Sequence, residues 1–308
     1  MTTSLETPPT FAAWMLTQDH SPATMRNYRS DLKLFQVWFE QVNGTPLAPA
    51  LLTSMDVREY RQYLLGVEQR KASTINRRLS ALSAYSRWAQ ETGALQVNPT
   101  ARVQAVKVQA RPPRWLEKKE QAAILRELEL LRNAAETPVA HFRALRNETM
   151  VLVMLNTGLR LAELTGLVVR DVTLKERSGQ VLVREGKGNK QRPVPLNREA
   201  RRLLDLWLPA RAVWLTELDL EQETLFLSQR GLPLGVRSVQ RIVEMVGQRA
   251  GVRLTCHMLR HTFAKNLVNA GVTLEKVGAL LGHSNLNTTR LYITPGQQDL
   301  ERAVEALV

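Results

Sequence analysis

Four stretches of this 308-residue sequence combine phosphate-binding side chains with tight turns that could hold them still. They are Thr157-Gly158-Leu159-Arg160-Leu161-Ala162-Glu163, Gly186-Lys187-Gly188-Asn189-Lys190-Gln191-Arg192, His257-Met258-Leu259-Arg260-His261, and Leu281-Gly282-His283 running on to Thr289-Arg290-Leu291-Tyr292. An arginine fork matches two phosphate oxygens and keeps its charge at any relevant pH. Arg160 follows a Thr-Gly break behind an apolar run, and His257 and Arg260 stand three apart on one helical face. Two such arginines can neutralise a phosphate as charge builds during phosphoryl transfer. Tyr292 is the candidate nucleophile, and a phenol of pKa ~10 attacks only with a base and a cationic surround to help it. Lys187, between two glycines, suits a proton donor to a leaving oxygen, and His283 suits a hydrogen bond to a phosphate oxygen.

Each residue also has a plainer reading. Arg160 alone can be a helix-cap ion pair with Glu163, and His257 a histidine at the edge of a core. Lys187 can be a solvated turn lysine and Tyr292 a structural tyrosine. Lys190 and Arg192 fit DNA-backbone contacts or ordinary surface. The set carries more weight than any member. No carboxylate cluster suited to two-metal chemistry is evident, and no Gly-x-x-x-x-Gly-Lys-Ser/Thr loop is present, so the expectation is chemistry without metal, cofactor or nucleotide.

The elements that must carry these residues can be drawn from periodicity. A short helix at Phe11 to Leu16 precedes a Ser21-Pro22 start signal and an amphipathic helix from Ala23 to Val42, with Tyr28, Leu32, Phe35 and Phe39 on its apolar side. Asp56 reads as the cap of a helix from Val57 to Glu68, and Ser73 as the start of one from Thr74 to Glu91. Residues 1–105 therefore form a helical domain, residues 106–114 an extended basic linker containing Pro112-Pro113, and residues 115–308 a second domain. The second domain is mostly helix, with helices expected at Glu117 to Asn133, Asn147–Asn156, Leu161 to Leu167, Arg198–Leu208, Val236–Ala250, His257–Asn269 and Leu274–Leu281. Strand-like runs at Gln180–Arg184 and Gln191–Leu196 flank the glycine-rich link as a hairpin. The fold class is mainly α with a small antiparallel β-sheet in the C-terminal domain.

Composition narrows the partner. Forty-two Lys and Arg against 29 Asp and Glu give a net charge of +13, which favours a polyanion bound in a salt-sensitive way. Arg26, Arg29, Lys33, Arg77 and Arg78, on two helices of the first domain, suggest a face laid along DNA phosphates. The start lacks a signal peptide and no apolar run reaches the length of a membrane span, so the expectation is a cytoplasmic protein with no membrane partner. The single cysteine, Cys256, excludes an internal disulfide and reads as a small apolar side chain.

Together, Thr157-Gly158-Leu159-Arg160 with Glu163, the Gly186-Lys187-Gly188 link, His257 with Arg260-His261, and Gly282-His283 leading to Tyr292 resemble the tyrosine recombinases, or phage-integrase family. The similarity is greatest to the Xer-like two-domain members. The motifs cover residues from about 150 to 295, in the family's order and spacing. The resemblance implies a two-domain DNA clamp in which Arg160 and Arg260 hold the scissile phosphate, Lys187 protonates the 5′-hydroxyl, and His257 acts in proton transfer. His283 would bond a non-bridging oxygen, Tyr292 would form a 3′-phosphotyrosyl bond, and Glu163 would orient the Arg160 region. It further implies double-stranded DNA with inverted-repeat core sites, a homotetramer on two DNA sites working through a Holliday junction, and a related second recombinase or accessory protein as an optional partner. Leu300, Ala303, Val304 and Leu307 form an apolar stripe expected to dock in trans on a neighbouring subunit, with packing on its own domain as the alternative. No arm-binding domain precedes Phe11, which favours simple core sites. A relaxing topoisomerase shares this chemistry without joining duplexes, and a DNA-binding module with vestigial residues is the rival of a different class.

Overall fold

The computed structural model describes residues 10–18, 20–108, 113–184, 191–283, 289–290 and 304–305. Its chain divides into two compact units, Met1–Ala110 and Arg111–Val308.

In the first unit, α1 (Phe11–Thr17), α2 (Pro22–Asn43), α3 (Ser54–Gly66) and α4 (Ala72–Glu91) enclose an aromatic core. Ser21 caps α2 by accepting from Thr24 N–H at 3.1 Å, with proline at the first helical position. Gly44, in the left-handed region at φ 69°, ends it. Leu32, Phe35, Trp38 and Phe39 of α2 are buried at helical spacing, and Phe35 and Trp38 meet Tyr60 of α3 with ring centroids 4.9 and 5.0 Å apart. The cap of α3 corrects the sequence reading. Thr53 is the N-cap, and Asp56 sits three residues on, where its carboxylate returns a bond to Thr53 N–H at 2.8 Å. The pair is a capping box; an acid inside the first turn does the work expected of a cap. Val106, expected to open the linker, is held to Asn76 of α4 by bonds of 2.8 and 2.9 Å.

The second unit is organised around α6 (Pro138–Thr157), which packs against α5 (Lys118–Asn133), α8 (Arg198–Glu217) and α10 (Cys256–Asn269). α7 (Leu161–Thr165) follows α6, and α9 (Val236–Arg249) and α11 (Leu274–Leu281) pack in the same unit. β1 (Val172–Leu174), β2 (Gly179–Arg184) and β3 (Gln191–Pro195) form an antiparallel sheet in that order, with Val181 opposite Val194. β1 escaped the sequence reading because three residues give no period to read.

Two helices are longer than expected. α6 begins at Pro138 behind the Thr137 cap, and its first half hides from a periodicity search because Arg146 and Glu148 are buried in it. Arg146 gives a 3.0 Å bond to Leu227 O and two bonds to Asn147, and burial followed by the nearby charge of Arg143 lowers its pKa to about 10. α8 runs past its expected end at Leu208, through Pro209, to Glu217. No helix of the described residues is long and apolar enough to cross a membrane.

Candidate active site

α6 ends at Gly158, whose φ of 63° is a conformation only glycine adopts without strain. A Cβ there would lie 2.4 Å from Cδ1 of Phe263 on α10 and 2.8 Å from Cδ2 of Leu281 on α11. The missing side chain lets the end of α6 pack against the middle of α10 and the end of α11, and the candidate residues gather there. Arg160 is the N-cap of α7, and Glu163 at its third position accepts from Arg160 N–H and from Nη1, each at 2.7 Å. Both sequence readings of Arg160 therefore hold a part of the truth: it is ion-paired at a helix cap, and it belongs to a cationic cluster.

The cluster has an unexpected seat. The last carbonyls of α11 and its cap each accept from a different arginine. Leu280 O takes Arg192 Nε at 3.2 Å, Leu281 O takes Arg260 Nη2 at 2.7 Å, and Gly282 O takes Arg160 Nη2 at 3.0 Å. These groups have no partner within the helix and carry the negative end of its dipole, so guanidinium groups are stabilised there. Arg260 Nη1 also bonds Gly158 O at 2.7 Å, tying α10 to the turn after α6. Arg260 is buried at 5% exposure, whereas the Arg160 side chain is 41% exposed and open to a ligand.

His283 leaves α11 directly into this seat. Its Nε2 lies 3.0 Å from Arg260 Nη2 and its Nδ1 2.9 Å from Thr289 Oγ1. A guanidinium only donates, so Nε2 accepts and Nδ1 carries the proton that Thr289 receives. Burial first, then the charges of Arg260, Arg160 and Arg192, push the His283 pKa down to about 4. His283 is thus neutral at pH 7. His261 is pushed to about 4 as well, by burial and then by His257 and Arg260. His257 is exposed, one helical turn before His261, with ring centroids 6.3 Å apart. Burial alone would raise the Glu163 pKa, but bonds and charge from Arg192 and Arg160 outweigh it and hold the carboxyl below its usual range.

Arg192 is placed differently from expectation. Rather than facing solvent as a backbone contact, its side chain is 13% exposed and grips both Glu163 oxygens. Arg78 needs the same correction. It is buried at 6% exposure in the first unit, within reach of Tyr60, Glu68 and Asp31, so its charge is met by carboxylates of its own unit and not by an exposed phosphate face. Arg77 is exposed but pairs with Asp31. Arg26, Arg29 and Lys33 are exposed along one side of α2. Lys187, Lys190 and Tyr292 lie outside the described residues. Cys256 is buried, and burial pushes its thiol up to about 11, so it stays protonated and unreactive at neutral pH. Sequence reasoning gave no role to Thr289, fully buried against His283, or to the α11 carbonyls; backbone acceptors leave no trace in residue types.

Comparison with known proteins gives the same picture from outside. Residues 115–298 match the phage integrase family, and residues 11–93 match the phage integrase N-terminal SAM-like domain. The chain is 34% identical over 275 residues to the tyrosine recombinase XerC of Corynebacterium glutamicum, covering 88% of this chain and 81% of that protein. It is 30% identical over 286 residues to XerC of Lactobacillus delbrueckii subsp. bulgaricus, covering 92% of each. Among solved structures, the XerH site-specific recombinase bound to palindromic difH substrate aligns with a TM-score of 0.74 at 24% identity, over 92% of this chain and 79% of that one. A lambda integrase dimer bound to a COC′ core site aligns at 0.64 and 20% identity, over 92% of each chain.

Proposed function

This chain belongs to the phage integrase family and is a site-specific DNA recombinase, and we propose that it cuts and rejoins strands through a phosphotyrosine at Tyr292. The observation that carries the residue assignment is the convergence of Arg160, Arg260 and His283 at the end of α11, with His283 nine residues of chain before Tyr292. In this reading a scissile phosphate enters at the exposed Arg160. Its charge is met by the Arg160 and Arg260 forks, held in place before the reaction and so needing little reorganisation during it. The Tyr292 oxygen attacks phosphorus, its phenolic proton passing to solvent with help from His257. The bond from phosphorus to the 5′ oxygen breaks, and Lys187 gives that oxygen a proton. His283, neutral, turns from Arg260 and shifts its proton to Nε2, Nδ1 then accepting from the Thr289 hydroxyl, so that Nε2 donates to a non-bridging oxygen. Rejoining is the reverse, with the 5′-hydroxyl of another strand as nucleophile. The ester bond is conserved throughout, so the reaction requires no outside energy source.

The partner is double-stranded DNA with inverted-repeat core sites, contacted in part by Arg26, Arg29 and Lys33. Strand exchange would run through a Holliday junction in a homotetramer on two sites, with the tail around Leu300 and Val304 docking on the neighbouring subunit. A related second recombinase or an accessory protein would act beside it, in the cytoplasm.

The test uses nicked suicide DNA bearing inverted repeats from the gene's own neighbourhood, in EDTA. Wild-type protein is expected to form a covalent adduct and Tyr292→Phe none. Paired sites should then give recombinant product, which a relaxing topoisomerase would not make. An adduct that survives Tyr292→Phe would move the nucleophile elsewhere. Binding without any adduct would favour a vestigial binder.

A further inference from the structure

Arg192 stands outside the catalytic roles just described, yet it makes more contacts to that site than any exposed DNA contact would. Its Nη1 and Nη2 reach the two oxygens of Glu163 at 3.1 and 2.9 Å, and its Nε reaches Leu280 O at 3.2 Å. Glu163 Oε1 accepts from Arg160 Nη1 and Arg192 Nη1, and Oε2 from Arg160 N–H and Arg192 Nη2. A carboxylate offers about four lone-pair sites, and here all are taken, divided evenly between the two arginines.

We propose that Arg192 is a positioning residue for cleavage. It fixes the Glu163 carboxylate, which fixes Arg160, and its third bond ties the assembly to the end of α11, where Arg160 and Arg260 are seated. This inference rests on the assignment of Arg160 to the scissile phosphate. The physical argument concerns what Glu163 does without Arg192. Half its lone pairs are then empty, and the Arg160 guanidinium, already bonded to it through Nη1, has a second nitrogen, Nη2, on Gly282 O. Arg160 is drawn onto the carboxylate and away from the direction in which a phosphate would meet it. Arg192 also lies at the start of β3, two residues after Lys190, so it joins the strand that follows the lysine-bearing link to the arginine seat. A lysine in its place supplies charge but no planar fork, and cannot serve two carboxylate oxygens and a carbonyl together.

The experiment is single-turnover cleavage of the nicked substrate at saturating protein, with DNA affinity measured across salt. Arg192→Gln and Arg192→Ala are expected to slow cleavage by about 10- to 100-fold, the effect of a small misplacement of a reacting group. Affinity should stay within about twofold, and Arg192→Lys should recover part of the rate. Because the effect passes through Arg160, Arg192→Ala should cost less than about threefold in an Arg160→Lys background, where the group it positions has already changed. An equal loss in both backgrounds overturns the proposal. So does a loss confined to affinity with the salt slope reduced by about one, which would make Arg192 a phosphate contact. Thermal unfolding of Arg192→Ala, Glu163→Gln and the double variant reads the contact without cleavage; additive losses there also overturn it. If wild-type protein forms no Tyr292-dependent adduct while these melting effects are coupled, the catalytic assignment fails and the contact stands.

Discussion

Arg78 in the first unit and Arg260 in the second are both buried, and the two are held in opposite ways. Arg78 in the first unit is enclosed by carboxylates and a phenol: Glu68 at 3.3 Å, Asp31 at 4.0 Å and Tyr60 at 3.3 Å. Arg260 in the second rests on backbone carbonyls, Gly158 O and Leu281 O, both at 2.7 Å. A carboxylate cancels a guanidinium's charge, whereas a carbonyl dipole satisfies its protons and leaves the charge to act on a newcomer. The first arrangement is a structural tie between helices. The second, in the proposed reading, leaves a cation for a phosphate. Residue type and spacing distinguish neither; the partners do.

The largest effect that would sharpen this contrast is at Arg260. Arg260→Ala is expected to slow single-turnover cleavage by about 10²–10³-fold, the cost of one missing donor to a developing charge. It should also lower the melting temperature, because two buried carbonyls lose their donor. Asp31→Ala in the first unit should do the reverse. It removes the bond to Arg77 and one of two carboxylates beside Arg78, and costs about 1–2 kcal/mol in urea unfolding. Cleavage by the folded fraction should be unchanged. A rate loss in Asp31→Ala as deep as in Arg260→Ala would break the distinction between a tie and a clamp.

This difference also explains how much the sequence disclosed. The amphipathic helices of the first unit were legible because α2 and α4 present regular apolar faces, and Arg160, Arg260 and His283 because their motif spacing is stiff. Arg78 and Arg192 were misjudged as surface cations for one reason. Their partners, Asp31 and Glu68, or Glu163 and Leu280 O, come from other elements or lie far along the chain, and one of them is backbone. Arg146 blurred the start of α6 in the same way, a charge hidden where periodicity expects a hydrocarbon. Short β1 left no pattern at all.

Two helix-ending glycines give a smaller test. Gly44 closes α2 and Gly158 closes α6, both left-handed, at φ 69° and 63°. A Cβ on Gly44 would meet nothing within 4 Å, while one on Gly158 would strike Phe263. Gly44→Ala should therefore cost about 1 kcal/mol, the backbone term alone, and Gly158→Ala about 2–3 kcal/mol with a slower cleavage step, since its carbonyl seats Arg260. Equal costs would mean that α10 yields to the new methyl group and that the packing at Gly158 is looser than its contacts indicate.

Acid should separate the two units most gently. His261 and His283 have pKa values of about 4 in the fold against 6.5 in a free chain. Between those values the unfolded state binds more protons, so their contribution is complete above about pH 6.5 and declines as pH falls toward 4. Glu163, held below its usual range, adds a loss of the same sign at lower pH. In the first unit Asp31 has a raised pKa, because burial outweighs its bonds and charges from Arg77 and Arg78; protonating it on acidification favours the fold. Hydrogen exchange followed from pH 7 to 5 should therefore show protection falling in α10 and α11 while α2 and α4 hold. Replacing His261 with Asn should flatten the fall in the second unit. If both units lose protection together, the arginine-flanked histidines are not what makes the second unit acid-sensitive, and a charge shared by the whole +13 chain is the better explanation.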